Sequence, residues 1–108
     1  MTAPPITAQG NPRVEVIHGP QGFVGRTFPL DRTGSTVFGR DPAATLRIPS
    51  ERVSRRHCEV APTAHGFMVR DLGSSNGTLL NQVRIPSPQR LNSGDHIQTG
   101  DCLFRFSL

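Results

Sequence analysis

The sequence predicts an all-β domain built as two stacked sheets, and three observations lead there. Apolar residues recur at alternate positions in short runs, the period of a strand with one buried face. Gly, Pro, Asn and Asp cluster between those runs, where turns would reverse the chain. No stretch free of Gly and Pro carries the i, i+3, i+4, i+7 stripe of an amphipathic helix. Many short antiparallel strands, each with a single apolar face, are best buried by laying one sheet on another, so a sandwich is expected rather than a barrel.

Along the chain, residues 1–12 hold three of the ten prolines and few apolar side chains, which marks a disordered lead-in or linker end before a domain spanning 13–108. Strand candidates then follow in order, each an alternating or β-prone pair: Val14 with Val16, Thr27-Phe28, Val37-Phe38, Leu46 with Ile48, Cys58 with Val60, and Phe67 with Val69. Turns are expected at Gly19-Pro20, Asp31 to Gly34, Asp41-Pro42, Pro49-Ser50, His65-Gly66, Gly73 to Gly77, Pro86 to Pro88, Ser93 to Asp95 and Gly100-Asp101. Strands committed to packing leave the loops to carry function.

At 108 residues and 34% hydrophobic content, with six Phe and no Trp or Tyr, the chain has material for one small core. No apolar run approaches the ~20 residues of a membrane span, and the first residues lack a charged head and hydrophobic stretch, so a cytoplasmic protein without membrane contact is expected. Cys58 and Cys102 have neither CxxC spacing nor a second ligand pair; they read as buried free thiols, with no metal site and no cofactor.

All twelve basic residues are Arg, against eight acidic ones. A planar guanidinium forks onto phosphate or carboxylate oxygens, although a GC-rich genome also replaces Lys by Arg. Five of the twelve (Arg40, Arg47, Arg52, Arg55, Arg56) fall within 17 residues that hold only Asp41 and Glu51 in opposition. On charge alone this segment is either a solvated basic face or a site for a compact anion. Ser54 in the same loop, and Ser74, Ser75 and Asn76 in another, supply the hydroxyl, amide and backbone donors that phosphate oxygens take beside guanidinium.

Four motifs in order resemble the forkhead-associated (FHA) domain, a module that binds phosphothreonine peptides. They are Gly39-Arg40; Ser54-Arg55-Arg56-His57; Asp71-Leu72-Gly73-Ser74-Ser75-Asn76-Gly77-Thr78 with Asn81; and Arg90-Leu91-Asn92-Ser93-Gly94-Asp95. The resemblance implies a β-sandwich of about eleven strands with its peptide site on loops at one end. Arg40, Ser54 and Arg55 would bind the phosphate, Ser75 would add a hydrogen bond to it, and Asn76 would bond the peptide main chain. His57 would brace the binding loop, Gly39 would permit close backbone packing, and Gly77, Thr78 and Asn81 would be structural. Arg52 would select an acidic third residue after the phosphothreonine, and Arg56 would face solvent. Two departures concern turn shape: Gln82 stands where the family often has Gly, and Thr45 where an acidic or amide residue is frequent.

The partner implied is a threonine-phosphorylated protein or peptide, a Ser/Thr kinase or its substrate. Thr2 and Thr7 would be candidates for capture by another copy. Three other readings compete. A hydrolase would recruit Ser54, His57 and Asp71, but a Ser followed by His three residues later has neither a strained elbow nor an oxyanion hole, so no catalytic residue is expected. A nucleic-acid binder would explain a pI near 11.0 but lacks stacking aromatics. An oligomerisation scaffold of the same fold, without phosphate binding, would not need the retained Arg40, Ser54, Ser75 and Asn76.

Overall fold

The computed structural model describes residues 11–108. Among these there is no helix, and eleven strands form two sheets. The strands are β1 (Arg13–His18), β2 (Thr27–Pro29), β3 (Thr36–Gly39), β4 (Leu46–Arg47), β5 (Cys58–Thr63), β6 (Gly66–Asp71), β7 (Thr78–Leu80), β8 (Val83–Arg84), β9 (Gln89–Arg90), β10 (His96–Thr99) and β11 (Cys102–Ser107). One sheet has the order β2-β1-β11-β10-β7-β8 and the other β4-β3-β5-β6-β9. Every pairing is antiparallel but one: β3 and β4 run parallel, with Phe38 beside Leu46 and Gly39 beside Arg47. That departs from the all-antiparallel expectation. The chain from Arg40 to Thr45 folds back on itself, with Asp41 Oδ1 accepting from the Ala43 amide and Asp41 O from the Ala44 amide, so β4 re-enters alongside β3 in the same direction.

The lead-in expected over residues 1–12 lies mostly outside the described residues, as do Thr2 and Thr7. Asn11 and Pro12 are described and engaged. Pro12 is buried, its carbonyl accepts from the Leu30 amide at 2.9 Å, and Asn11 Oδ1 accepts from Arg32 at 2.9 Å. The β1–β2 ladder therefore continues upstream of Arg13, because Pro lacks a donor but keeps its acceptor.

Alternate residues of the strands meet between the sheets. Val14, Val16, Ile97, Phe104 and Phe106 from one, and Phe38, Val60, Phe67 and Val69 from the other, are all at most 1% exposed. Phe38 meets Phe104 edge-on at 5.2 Å between centroids, and Phe67 meets Phe106 at 5.8 Å. Each such side chain contributes about 1.5–3 kcal/mol by burial, and each ring pair about 0.5–1.5 kcal/mol more. Cys58 and Cys102 are buried and unpaired; burial pushes both thiols up, that of Cys102 to about 12 with help from the Asp101 charge.

The structure adds one hairpin to the turns expected from the sequence. Asn76-Gly77 is the commonest type of hairpin dipeptide, yet here it joins β6 of one sheet to β7 of the other. Asn81-Gln82 instead forms a two-residue hairpin between β7 and β8, as Ala64-His65 and Gly100-Asp101 do between β5 and β6 and between β10 and β11, and both Asn81 and Gln82 have positive φ (50° and 71°) without any Gly. At the end of the sheet away from the Asn76-Gly77 and Gly100-Asp101 connections, Arg13 lies opposite Ser107 in the β1–β11 pair.

Candidate functional site

Four connections converge at one end of the sandwich: β3–β4, β4–β5, β6–β7 and the β10–β11 turn. The first begins at Gly39, whose lack of a side chain is required. A Cβ there would stand 2.8 Å from the Arg55 carbonyl carbon, closer still to its oxygen, and 3.1 Å from Arg56 Cα. This contact lets the two backbones zip together. The Arg40 amide donates to Ser54 O at 3.0 Å and the Asp41 amide to Arg55 O at 3.2 Å. Arg40 Nε donates to Val53 O at 3.1 Å, which fixes the stem of the half-buried side chain and leaves its two terminal nitrogens for a ligand.

The β4–β5 connection is held from below and behind. Val53 (1% exposed) pins it to the core. Ser50 Oγ donates to Asp101 Oδ1 at 2.5 Å and accepts from the Arg52 amide at 3.2 Å. Gly100 packs so closely that a Cβ on it would lie 2.5 Å from the Arg52 carbonyl oxygen. The Gly100-Asp101 turn thus buttresses the loop. The sequence analysis placed a turn there without assigning it to the site; the contact spans some fifty residues and leaves no local signal.

His57, fully buried, ties this loop to the next. Its Nδ1 accepts from the Ser54 amide at 3.1 Å and its Nε2 donates to Gly77 O at 2.8 Å. An amide can only donate and a carbonyl only accept, so the imidazole is neutral with its proton on Nε2. Burial holds its pKa below the usual histidine value; the Gly77 carbonyl and the Asp71 charge oppose this without overcoming it.

Asp71 organises the β6–β7 connection. Its carboxylate accepts from the Gly73 amide at 2.9 Å, the Ser74 amide at 3.0 Å, the Thr78 hydroxyl at 2.8 Å and the Ser74 hydroxyl. Burial alone would raise its pKa, but these bonds outweigh burial and lower it. The loop so shaped presents the exposed Ser75 and Asn76. The Ser75 amide donates to Ser54 Oγ at 3.0 Å, and Asn76 Nδ2 donates to Arg52 O at 2.8 Å, joining the two loops across the cleft.

The resulting cleft encloses about 400 Å³ and is lined by Arg40, Arg52, Ser54, Arg55, Ser75 and Asn76, and also by Glu51 and by Arg56, which is solvent-exposed as expected yet contributes to the lining. Every residue that the sequence analysis assigned to ligand contact is therefore in one place. Thr78 and Asn81 are not. Thr78 is buried beneath the loop, and Asn81 ties its hairpin to β10, donating to Asp95 Oδ1 at 3.1 Å and accepting from the His96 amide at 2.9 Å. Among the described residues, none of the five clustered arginines has a carboxylate within ion-pair distance; the ion pairs are Arg70–Glu59 and Arg105–Glu15, elsewhere.

The profile of the FHA domain matches residues 36–100, more than half of the chain. This chain belongs to the FHA family. Over 84 residues, 78% of its length, this FHA domain is 37% identical to the transcriptional regulatory protein EmbR of Mycobacterium tuberculosis, of which it spans 21%. It superposes with a TM-score of 0.81 on EmbR solved in complex with a low-affinity phosphopeptide, at 33% identity, covering 92% of this chain and 24% of that one. A second solved FHA domain, from work on phosphothreonine-dependent FHA interactions, gives a TM-score of 0.79 at 29% identity, covering 92% of this chain and 97% of that one.

Within this FHA domain the Ser54, His57 and Asp71 side chains do not assemble as nucleophile, base and orienter. His57 Nδ1 meets the Ser54 amide and not its hydroxyl, and the Asp71 oxygens are taken by the β6–β7 loop. Among the described residues there is no helix, hence none long and apolar enough to cross a membrane.

Proposed function

We propose that this FHA domain is a non-catalytic recognition module for phosphothreonine on a partner protein, a Ser/Thr kinase or one of its substrates. The observation that carries the reading is the state of the donors in the central cleft. Ser54 Oγ accepts from the Ser75 amide, which leaves its proton free to donate; Arg40 is anchored through Nε alone; and Arg55 stands beside them without a counter-ion. A phosphate of charge near −2 takes such donors in charge-assisted bonds that a bare threonine hydroxyl cannot make.

In this reading Arg40, Ser54 and Arg55 grip the phosphate and Ser75 adds a hydrogen bond. The free carboxamide oxygen of Asn76 meets the peptide backbone, and the exposed Arg52 reads an acidic residue farther along. Gly39, His57, Gly77, Thr78 and Asn81 hold the loops. The relatives' phosphopeptide complex and phosphothreonine dependence support it. Two free thiols fit a reducing cytoplasm.

The test is calorimetric titration of a phosphothreonine peptide library into wild type and Arg40→Ala. Loss of charged hydrogen bonds worth about 2–3 kcal/mol should weaken binding roughly 30- to 150-fold. Unmodified peptide should not bind. Unchanged affinity in a folded Arg40→Ala protein refutes the reading and leaves the scaffold alternative.

A further inference from the structure

Of the five clustered arginines, Arg47 has no part in the phosphothreonine reading. It is the exposed second residue of β4, next to Gly39 across the parallel pair, and its Nε donates to Arg40 O at 3.4 Å. Its surroundings are organised around the same end of the sandwich. The central cleft shares Arg52 and Asn76 with a hollow of about 350 Å³ bounded by Gly100. It shares Arg40, Glu51 and Arg55 with another, of about 370 Å³, that Arg47 lines together with Pro42 and Pro49. The two outer hollows have no lining residue in common. Arg40 and Arg55 therefore divide the central cleft from the Arg47 recess, and Arg52 and Asn76 divide it from the Gly100 hollow on the other side.

The Arg47 recess is suited to an anion. Three guanidinium groups (Arg40, Arg47, Arg55) face two carboxylates there, and one of these, Asp41, is occupied in capping the Ala43 amide. Arg47 uses only Nε for its own anchoring, which leaves the forked terminal nitrogens that match paired oxygens. Pro42 and Pro49 wall the recess with backbone of fixed φ, so little chain entropy remains to be lost when a ligand enters. A ligand phosphate held in the central cleft would place its neighbouring residues over the hollows on its two flanks.

We propose that the Arg47 recess receives a second anionic group of the same ligand, on the flank of the phosphothreonine opposite the one that Arg52 reads. The inference rests on the phosphothreonine reading and narrows it. The ligand is a phosphothreonine peptide carrying a further negative charge on the Arg47 side, either an acidic side chain or a second phosphate. Both present paired oxygens to the fork, and a phosphate brings about twice the charge.

The experiment uses three sets of peptides around one phosphothreonine: neutral flanks, a single Asp or Glu moved through each flanking position, and a second phosphothreonine at the position where the acid helps. Each is titrated into wild type, Arg47→Gln, Arg47→Lys and Arg40→Ala. An exposed ion pair contributes modestly, so one position on one flank should bind about fivefold tighter than neutral, and a second phosphate there about tenfold. Arg47→Gln should remove that gain, with a smaller loss for the neutral-flank peptide; Arg47→Lys should restore part of it. Glu51→Gln, which removes the carboxylate common to both clefts, should enlarge it. A gain that is absent at every position on that flank, or that survives Arg47→Gln, overturns the inference. In that case Arg40-dependent binding of the neutral-flank peptide still upholds the phosphothreonine reading. Failure of wild type to distinguish that peptide from its unphosphorylated form overturns both.

Discussion

Substituting Gly39 by Ala tests the packing on which the cleft is built. The added methyl would sit 2.8 Å from the Arg55 carbonyl carbon. An ordinary carbon–carbon contact of ~3.5 Å requires the strand and loop to separate by about 0.7 Å or more. The Asp41–Arg55 hydrogen bond is already 3.2 Å long and would break, and the Arg40–Ser54 bond at 3.0 Å would stretch. Overpacking costs about 1–3 kcal/mol and each lost bond about 1 kcal/mol, giving about 2–4 kcal/mol in all. For a domain with a total stability of about 5–15 kcal/mol this is severe, and the thermal midpoint should fall by roughly 10–25 °C. Gly22→Ala is the control. Gly22 has a φ of +83° but nothing within 4 Å of an added Cβ, so its cost is the left-handed backbone alone, about 1 kcal/mol. Thermal unfolding of both variants, with phosphopeptide titration below the midpoint, reads the result. Gly39→Ala melting and binding like wild type would refute the close approach and the account of how Arg40 is aimed.

Gln82→Gly should stabilise the domain. It removes a left-handed non-Gly residue costing about 1–2 kcal/mol and adds the unfolded-chain entropy of Gly, about 0.5–1 kcal/mol, so a net gain of about 0.5–1 kcal/mol is expected in denaturant unfolding. A loss of stability would show that the Gln82 side chain compensates its backbone. The pH dependence of ligand-free stability should carry the signature of His57. Its native pKa lies below 6.5, so the unfolded chain takes up the proton first. Stability is complete above about pH 6.5 and falls as the pH drops towards the native pKa, by at most about 1.4 kcal/mol per pH unit. Unfolding free energies measured from pH 7.5 to 5 should show this decline, and a flat or rising curve would contradict the neutral, doubly bonded imidazole. The lowered Asp71 pKa acts only in more acidic solution, since its stabilisation is complete above its unfolded value of about 3.8 and is lost below that.

Local chemistry explains what could be read from the chain alone. Alternating Val14-Val16 or Phe67-Val69 reports a strand because side-chain direction has a period of two, and the Arg, Ser and Asn of separate loops could be grouped from the sequence because guanidinium, hydroxyl and amide all donate to anionic oxygens. What escaped depends on distant backbone. Nothing around Leu46 says that β4 runs parallel to β3, because the reversal follows from where the chain packs, not from its propensity. Asn76-Gly77 carries the stronger hairpin signal, yet Asp71 and His57 bind that segment into a bridge between sheets, while a two-residue hairpin forms at Asn81-Gln82, which carries no such signal. Asp101 and Gly100 look like an ordinary surface turn until Ser50 and Arg52 come to rest against them.

The β1–β11 pairing has a bearing on how this unit can be wired to other polypeptide. Arg13 and Ser107 are neighbours, whereas Cys102, at the other end of β11, adjoins the Gly100-Asp101 turn beside the cleft. Six residues of extended chain, about 20 Å, separate those poles. The described chain therefore enters and leaves the sandwich at the pole away from the cleft, and neither of its described ends stands in front of the cleft mouth.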